Sequence, residues 1–219
     1  MAKRSSHTTQ VPPLSSEEKI KEAARKVFTQ KGFAATRTRD IAKEAGINLA
    51  LLNYYFRSKE KLFELVMFES ASQFFASISA ELHNPKTSLE QKLTVLVNHY
   101  IDLLMNEPDF PVFILHEIQS NPSRLINRMQ AIELLPQSVF FKQLAAQLKK
   151  CGNTLPPVHF LINTMALLVF PFVARPMIAG MFRSSEAQFR ELMNQRRELV
   201  PRWVMQMLKE KNTNKKHKS

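Results

Sequence analysis

From position 48 to 59 the chain runs Asn-Leu-Ala-Leu-Leu-Asn-Tyr-Tyr-Phe-Arg-Ser-Lys. These amide, small apolar, phenolic and basic side chains suit the base edges and backbone of a nucleic acid. If the run is helical, Leu51 and Leu52 turn inward and Asn48, Leu49, Ala50, Asn53 and Tyr54 form the outer face. Such a face fits a major groove, where an asparagine amide can pair with adenine and Leu49 or Ala50 can touch a thymine methyl. Tyr54, Tyr55 and Lys59 are placed to hold phosphates and so to fix register. No other constellation offers comparable chemistry. The chain has no Gly-rich phosphate loop, no Gly-x-Ser-x-Gly elbow and no His-Glu-x-x-His helix. His99, His116 and Cys151 have the right ligand types for a metal, but their spacing fits no compact site. The expectation is no catalytic residue, no metal and no cofactor.

Charge supports a polyanionic partner. Residues 1–59 carry 12 Lys and Arg against 5 Asp and Glu, residues 60–200 carry 13 of each, and residues 201–219 carry 6 against 1. A solubilising surface would spread its charge, whereas here a neutral body separates a basic N-terminal unit from a basic tail. Lys and Arg bound to phosphates release condensed counterions, which favours duplex binding by the basic unit. The lone cysteine, Cys151, excludes an internal disulfide framework and suits a reducing compartment. Residues 1–13 are polar and basic with no apolar core, which predicts no signal peptide. The most apolar run, Met165–Ala174, is shorter than the roughly 20 residues needed to cross a bilayer. A cytoplasmic protein that does not enter the membrane is expected.

The elements that must position this face are helices. Only 4 glycines stand against 12 prolines, and no Asn-Gly or Asp-Gly hairpin joins alternating apolar runs. Residues 1–13 read as a disordered basic arm and 211–219 as a disordered basic tail. Ser15 and Glu18 form a capping box for a first helix whose Ile20, Ala23, Ala24, Val27 and Phe28 follow helical spacing to Gly32. A short helix from Thr38 to Ala45, a turn at Gly46, and a third helix capped by Asn48 complete a helix-turn-helix over 14–57. Ala42 permits close helix crossing, and Gly46 supplies left-handed backbone. Residues 58–210 form a larger helical domain. Its fourth helix starts at Ser58, and later helices lie near 88–106, 109–120, 123–133, 135–150, 156–182 and 186–210. Pro171, Pro176 and Pro201 should kink or shift the helices that contain them. The fold class is all-α.

Gly-Phe-Ala-Ala-Thr-Arg-Thr-Arg-Asp-Ile-Ala-Lys-Glu-Ala-Gly-Ile-Asn at 32–48, followed by Asn-Tyr-Tyr-Phe-Arg-Ser-Lys-Glu-Lys-Leu-Phe at 53–63, closely resembles the DNA-binding signature of the TetR family of transcriptional regulators. The match covers about 15–65. It implies a three-helix DNA-binding domain joined by the fourth helix to a ligand-binding and dimerising domain. It further implies contacts to a double-stranded DNA operator from Arg37 and Thr38 at the start of the second helix, and from Asn48, Leu49, Ala50, Asn53, Tyr54, Tyr55 and Lys59. Ala50, Asn53 and Tyr55 stand where the family often has glycine, tyrosine and histidine, and these departures bear on which operator is read.

The resemblance also implies a homodimer built from the helices near 156–182 and 186–210. Phe160, Leu161, Met165, Leu168, Val169 and Phe172 make the first more apolar than one packed face requires. Met193, Val200, Trp203, Val204, Met207 and Leu208 supply the second. A small-molecule effector, apolar or amphipathic, would bind within 88–180, with Tyr100, Phe113, His116 and Asn163 as candidate ligand-binding residues. The function expected is a repressor released from its operator by such a ligand. The alternative is an activator or architectural DNA-binding protein without an inducer. A membrane-surface protein is disfavoured, because no helix pairs a Lys/Arg-rich face with a broad apolar one.

Overall fold

Ser15 accepts the Glu18 backbone N–H at 3.2 Å, and Glu18 accepts the Ser15 N–H at 2.9 Å, so the predicted capping box opens the first helix. The computed structural model describes residues 15–128 and 135–210; the expected basic arm, the basic tail and the end of the helix predicted over 123–133 lie outside them. Among these residues the elements are α1 (Ser16–Ala35), α2 (Thr38–Glu44), α3 (Leu49–Tyr55), α4 (Lys59–His83), α5 (Leu89–Asn106), α6 (Phe110–Ser120), α7 (Pro122–Arg128), a 3₁₀ turn (Leu135–Gln137), α8 (Val139–Lys150), α9 (Val158–Val173), α10 (Arg175–Phe182) and α11 (Glu186–Lys209). No strand occurs among the described residues. The all-α class expected from composition is what forms.

The chain divides into two compact units, meeting at Val66 and Met67 within α4. In the first, Ile20, Ala24, Val27, Phe28, Ile41, Ala42, Leu52 and Leu62 are buried. Phe28 meets Phe63 edge-on at 5.0 Å, and Phe33 lies 4.6 Å from Phe63. Gly32 interrupts α1 at φ 75°, ψ 161°, a backbone that a side chain would strain, and so turns Phe33 into this aromatic cluster.

The second unit is organised around α5, whose buried Leu89, Leu93, Leu96, Val97 and Ile101 share a core with residues of α4, α8, α9 and α11. Lys92, fully buried on α5, gives its ammonium to Asn84 O at 2.6 Å, Thr87 O at 2.7 Å and Thr87 Oγ1 at 2.6 Å. Those three acceptors offset desolvation of the charge and tie the α4–α5 loop to the core. On the other side Arg197 donates to Asp102 at 2.6 Å and to Asn98 O at 3.0 Å, binding α11 to α5. At the α6–α7 corner the buried Glu117 accepts both arms of Arg124, at 2.6 and 2.9 Å.

The single helix expected over 156–182 is corrected to two, α9 and α10, bent by 63°. Pro176 causes the break: it has no N–H for the carbonyl four residues back, and its ring crowds that carbonyl. Pro171, by contrast, stays inside α9. The carbonyl its missing N–H would have met, Leu167 O, instead accepts Arg196 Nη2 from α11 at 2.6 Å. Pro201 likewise lies inside α11 without ending it. No single helix among the described residues is long and apolar enough to span a membrane, although the bent pair α9–α10 reaches that length and composition in combination.

Candidate functional site

The α2–α3 turn is made by backbone hydrogen bonds. Ile47 N–H donates to Ala42 O at 3.0 Å and Gly46 N–H to Lys43 O at 3.2 Å, while Gly46 takes φ 67°. This is a Schellman closure: the last carbonyls of α2 are satisfied by the residues that reverse the chain. Ile41, Ala42 and Leu52 are buried beneath it, with Ile47 and Leu51 half-buried. Asp40 caps the start of α2 by accepting the Arg37 N–H at 3.2 Å, and it pairs with Lys31 at 3.1 Å. The Lys31 ammonium, then the Arg37 N–H, hold its carboxyl below the usual aspartate range. Lys26 on α1 pairs with Glu44 at the end of α2.

This scaffold leaves one face of α3 in solvent. Asn48, Leu49, Ala50, Asn53, Tyr54 and Tyr55 are all exposed, Tyr54 at 80% and Tyr55 at 40%. The two phenol rings stack edge to face at 5.4 Å, so neither is a core aromatic. Arg37 is exposed and Thr38 half-buried at the start of α2, and Arg57, which the sequence reading had not singled out, is exposed beyond α3. The two asparagines differ in what they can offer. Asn48 Oδ1 accepts the Leu51 N–H at 2.8 Å as the cap of α3, which leaves its amide N–H groups for an outside acceptor. Asn53 has both halves of its amide on the exposed face, as a two-bond pairing with adenine requires.

Lys59 is placed differently from the others. It is half-buried, and its ammonium donates to Phe33 O at 2.9 Å and Thr36 O at 3.1 Å while lying 4.2 Å from the Phe33 ring centre. Thr36 is itself buried and donates through Oγ1 to Gly32 O at 2.7 Å. Lys59 therefore clamps the end of α1 and the approach to α2, and it has one ammonium proton left for a phosphate. A lysine at the head of a helix reads from sequence as free charge, because its acceptors lie 23 and 26 residues away.

In the second unit a cavity of about 660 Å³ lies among α4, α5, α6, α7, α8, α9 and the 3₁₀ turn. Its walls include Phe74 and Ile78 of α4, Ile114 and Ile118 of α6, and Met165 and Val169 of α9. Of the expected ligand-binding residues the fold brings only Tyr100 to it. Burial pushes the Tyr100 phenol up to about 12, and its ring meets Phe74 edge-on at 5.0 Å. The other three are turned away by helical geometry. The lining positions of α6 are 110, 111, 114, 115 and 118. Phe113 instead packs against Phe68 at 5.2 Å, and His116 is exposed beside Ser120. On α9, Asn163 is exposed and its amide donates to Met207 Sδ at 3.7 Å. Polarity on an apolar helix was the wrong signal for this cavity. The informative one was apolar side chains on more faces than one core contact uses.

The same correction applies to the apolar residues read as a partner face. Phe160, Leu168, Met193, Val200, Val204 and Leu208 are buried in the unit's own core, and Leu161, Met165 and Val169 line the cavity. Phe172 packs against Phe189 at 5.6 Å. Trp203, beneath Arg196, remains 36% exposed.

Comparison with known proteins agrees with this geometry. Residues 20–66 match the family model described as bacterial regulatory proteins, tetR family. The probable HTH-type transcriptional regulator YttP of Bacillus subtilis (strain 168) is 29% identical over 163 residues, spanning 73% of this chain and 78% of YttP. The HTH-type transcriptional repressor NicS of Pseudomonas putida is 31% identical over 103 residues, 46% of this chain and 47% of NicS. Among solved structures, the transcriptional regulator FadR from Bacillus subtilis in complex with stearoyl-CoA superposes with a TM-score of 0.57 at 14% identity, covering 88% of this chain and 97% of that one, a likeness of fold. These relatives are regulators of transcription, as the helix-turn-helix and the absence of any catalytic motif led us to expect. Residues 20–66 carry the DNA-binding module of the TetR family of transcriptional regulators.

Proposed function

We propose that this regulator is a cytoplasmic repressor that binds its operator as a homodimer and is released by an apolar or amphipathic small molecule. Residues 14–57 would read DNA and residues 58–210 would sense and dimerise. The observation that carries the reading is an apolar cavity of about 660 Å³ in the same chain as an exposed helix-turn-helix face. Asn53 is the main reader of base identity, Leu49 and Ala50 touch base methyls, and Asn48 donates to a base or phosphate acceptor. Arg37, Thr38, Tyr54 and Tyr55 hold phosphates, and Lys59 contributes mainly by clamping the domain. The dimer uses the helices near 156–182 and 186–210, where Val158, Met177, Leu192 and Trp203 remain exposed. NicS, a repressor, and FadR, solved with stearoyl-CoA, support repression and an acyl-type ligand by likeness. Ligand binding would favour a conformation with lower operator affinity, by no more than the ligand's differential affinity for the two states.

Fluorescence anisotropy tests this with inverted-repeat duplexes from the gene's own upstream region and a scrambled duplex, across a salt series. The expected result is a preference of about a thousandfold or more for one inverted repeat. Asn53→Ala should flatten base preference, and Tyr54→Ala should weaken binding to every duplex. Equal, steeply salt-dependent binding to all genomic fragments would overturn the reading in favour of an architectural protein.

A further inference from the structure

Twenty-one of the described residues line the cavity, and Tyr100 is the only one of these with an oxygen or nitrogen in its side chain. The Tyr100 hydroxyl has no hydrogen-bond partner among the described residues. Tyr100 is half-buried on the cavity wall, which leaves its O–H open to an acceptor that a ligand supplies. Among the described residues no Lys, Arg or His lines the space, so an anion drawn inside would lose its hydration without compensation from them. The lining residues that also reach solvent include Leu115 and Ile118 on α6 and Ile162 and Phe170 on α9, the last at 61% exposure. The cavity therefore opens between those two helices. If each ligand atom takes about the ~30 Å³ of a water molecule in liquid, the space holds on the order of twenty non-hydrogen atoms.

Building on the sensing role above, we propose that the ligand is a long single-chain amphiphile whose hydrocarbon fills the cavity and whose neutral carbonyl accepts a hydrogen bond from Tyr100. Any charged head stays in water at the α6–α9 opening. Chain burial supplies the affinity, at about 0.8 kcal/mol per methylene. Tyr100 supplies selectivity for an oxygen-bearing chain over a plain alkane, and the phenol, raised by burial, remains a donor throughout the physiological range.

The test is displacement of N-phenyl-1-naphthylamine from the full chain by methyl hexadecanoate, octadecane and hexadecanoate, each delivered from cyclodextrin. The wild type should favour the ester over the alkane by about three- to tenfold, the worth of one net hydrogen bond. Tyr100→Phe should erase that preference and retain alkane binding, which also shows that the variant is folded. Hexadecanoate should bind wild type and variant alike, its carboxylate remaining outside. An ester preference that survives in Tyr100→Phe, or equal binding of ester and alkane by the wild type, overturns the role of Tyr100 and leaves the sensing role standing. Failure of every chain to displace the probe overturns both.

Discussion

Lys59 has three ammonium protons, and the fold uses two of them on Phe33 O and Thr36 O. Those carbonyls lie where α1 ends and α2 begins, so the lysine sets the approach to α2 from within. Lys59→Met should lower thermal stability by about 1–3 kcal/mol, the cost of leaving part-buried carbonyls without a charged donor. The slope of log affinity against log salt should be nearly unchanged. A slope reduced by about one, with wild-type stability, would instead show a phosphate contact. The two asparagines illustrate the same point. Equal in sequence, they are distinguished by the Leu51 N–H, which claims the Asn48 oxygen and leaves the Asn53 amide whole.

At the scale of elements, local rules explain most of the N-terminal unit. Ser15, Asn48 and Gly46 act as caps and turn former where their chemistry predicts, because each acts on backbone within five residues of itself. Gly46→Ala makes this quantitative. No atom lies within 4 Å of the added Cβ, so the penalty is the left-handed backbone alone, about 1–2 kcal/mol. Urea unfolding followed by circular dichroism should show that loss, and wild-type stability would mean that the turn can re-form with another backbone. The C-terminal helices obey rules of longer range. Pro171 is tolerated within α9 while Pro176 stands at the bend, and the tolerated carbonyl is the one that Arg196 reaches from α11. That partner is 29 residues away, beyond any local pattern.

For the whole molecule, the distribution of apolar surface bears on dimerisation. Core and cavity account for most of the apolar residues of α9 and α11, yet Val158, Met177, Leu192 and Trp203 remain exposed. Isolated exposed apolar residues are ordinary, but four on the last three helices are what the proposed dimer would cover. The double variant Leu192→Glu with Trp203→Glu should sediment as a monomer at micromolar concentration, and operator affinity should fall at least tenfold, because two linked half-sites are lost. A dimer unaffected by both changes would move the interface elsewhere. The chain has a single tryptophan, so Trp203 emission in the native protein reports on dilution through the dissociation range.

Helix content, the capping residues and the turn at Gly46 were all legible in the sequence, as was the exposed Asn53 and Tyr54 face. Each depends on periodicity or on backbone contacts a few residues long, which a linear pattern records. The basic N-terminal unit was legible for the same reason, since charge adds along a segment without regard to packing. Tertiary structure decided what the apolar excess of residues 158–173 is for, because a wheel of hydrophobic residues looks the same against a core, a cavity or a partner. It also separated Tyr100 from His116 and Asn163 by the direction each helix faces. And it converted Lys59 from a surface cation into an internal clamp, since burial and the partners of a charge depend on chain segments that only folding brings together.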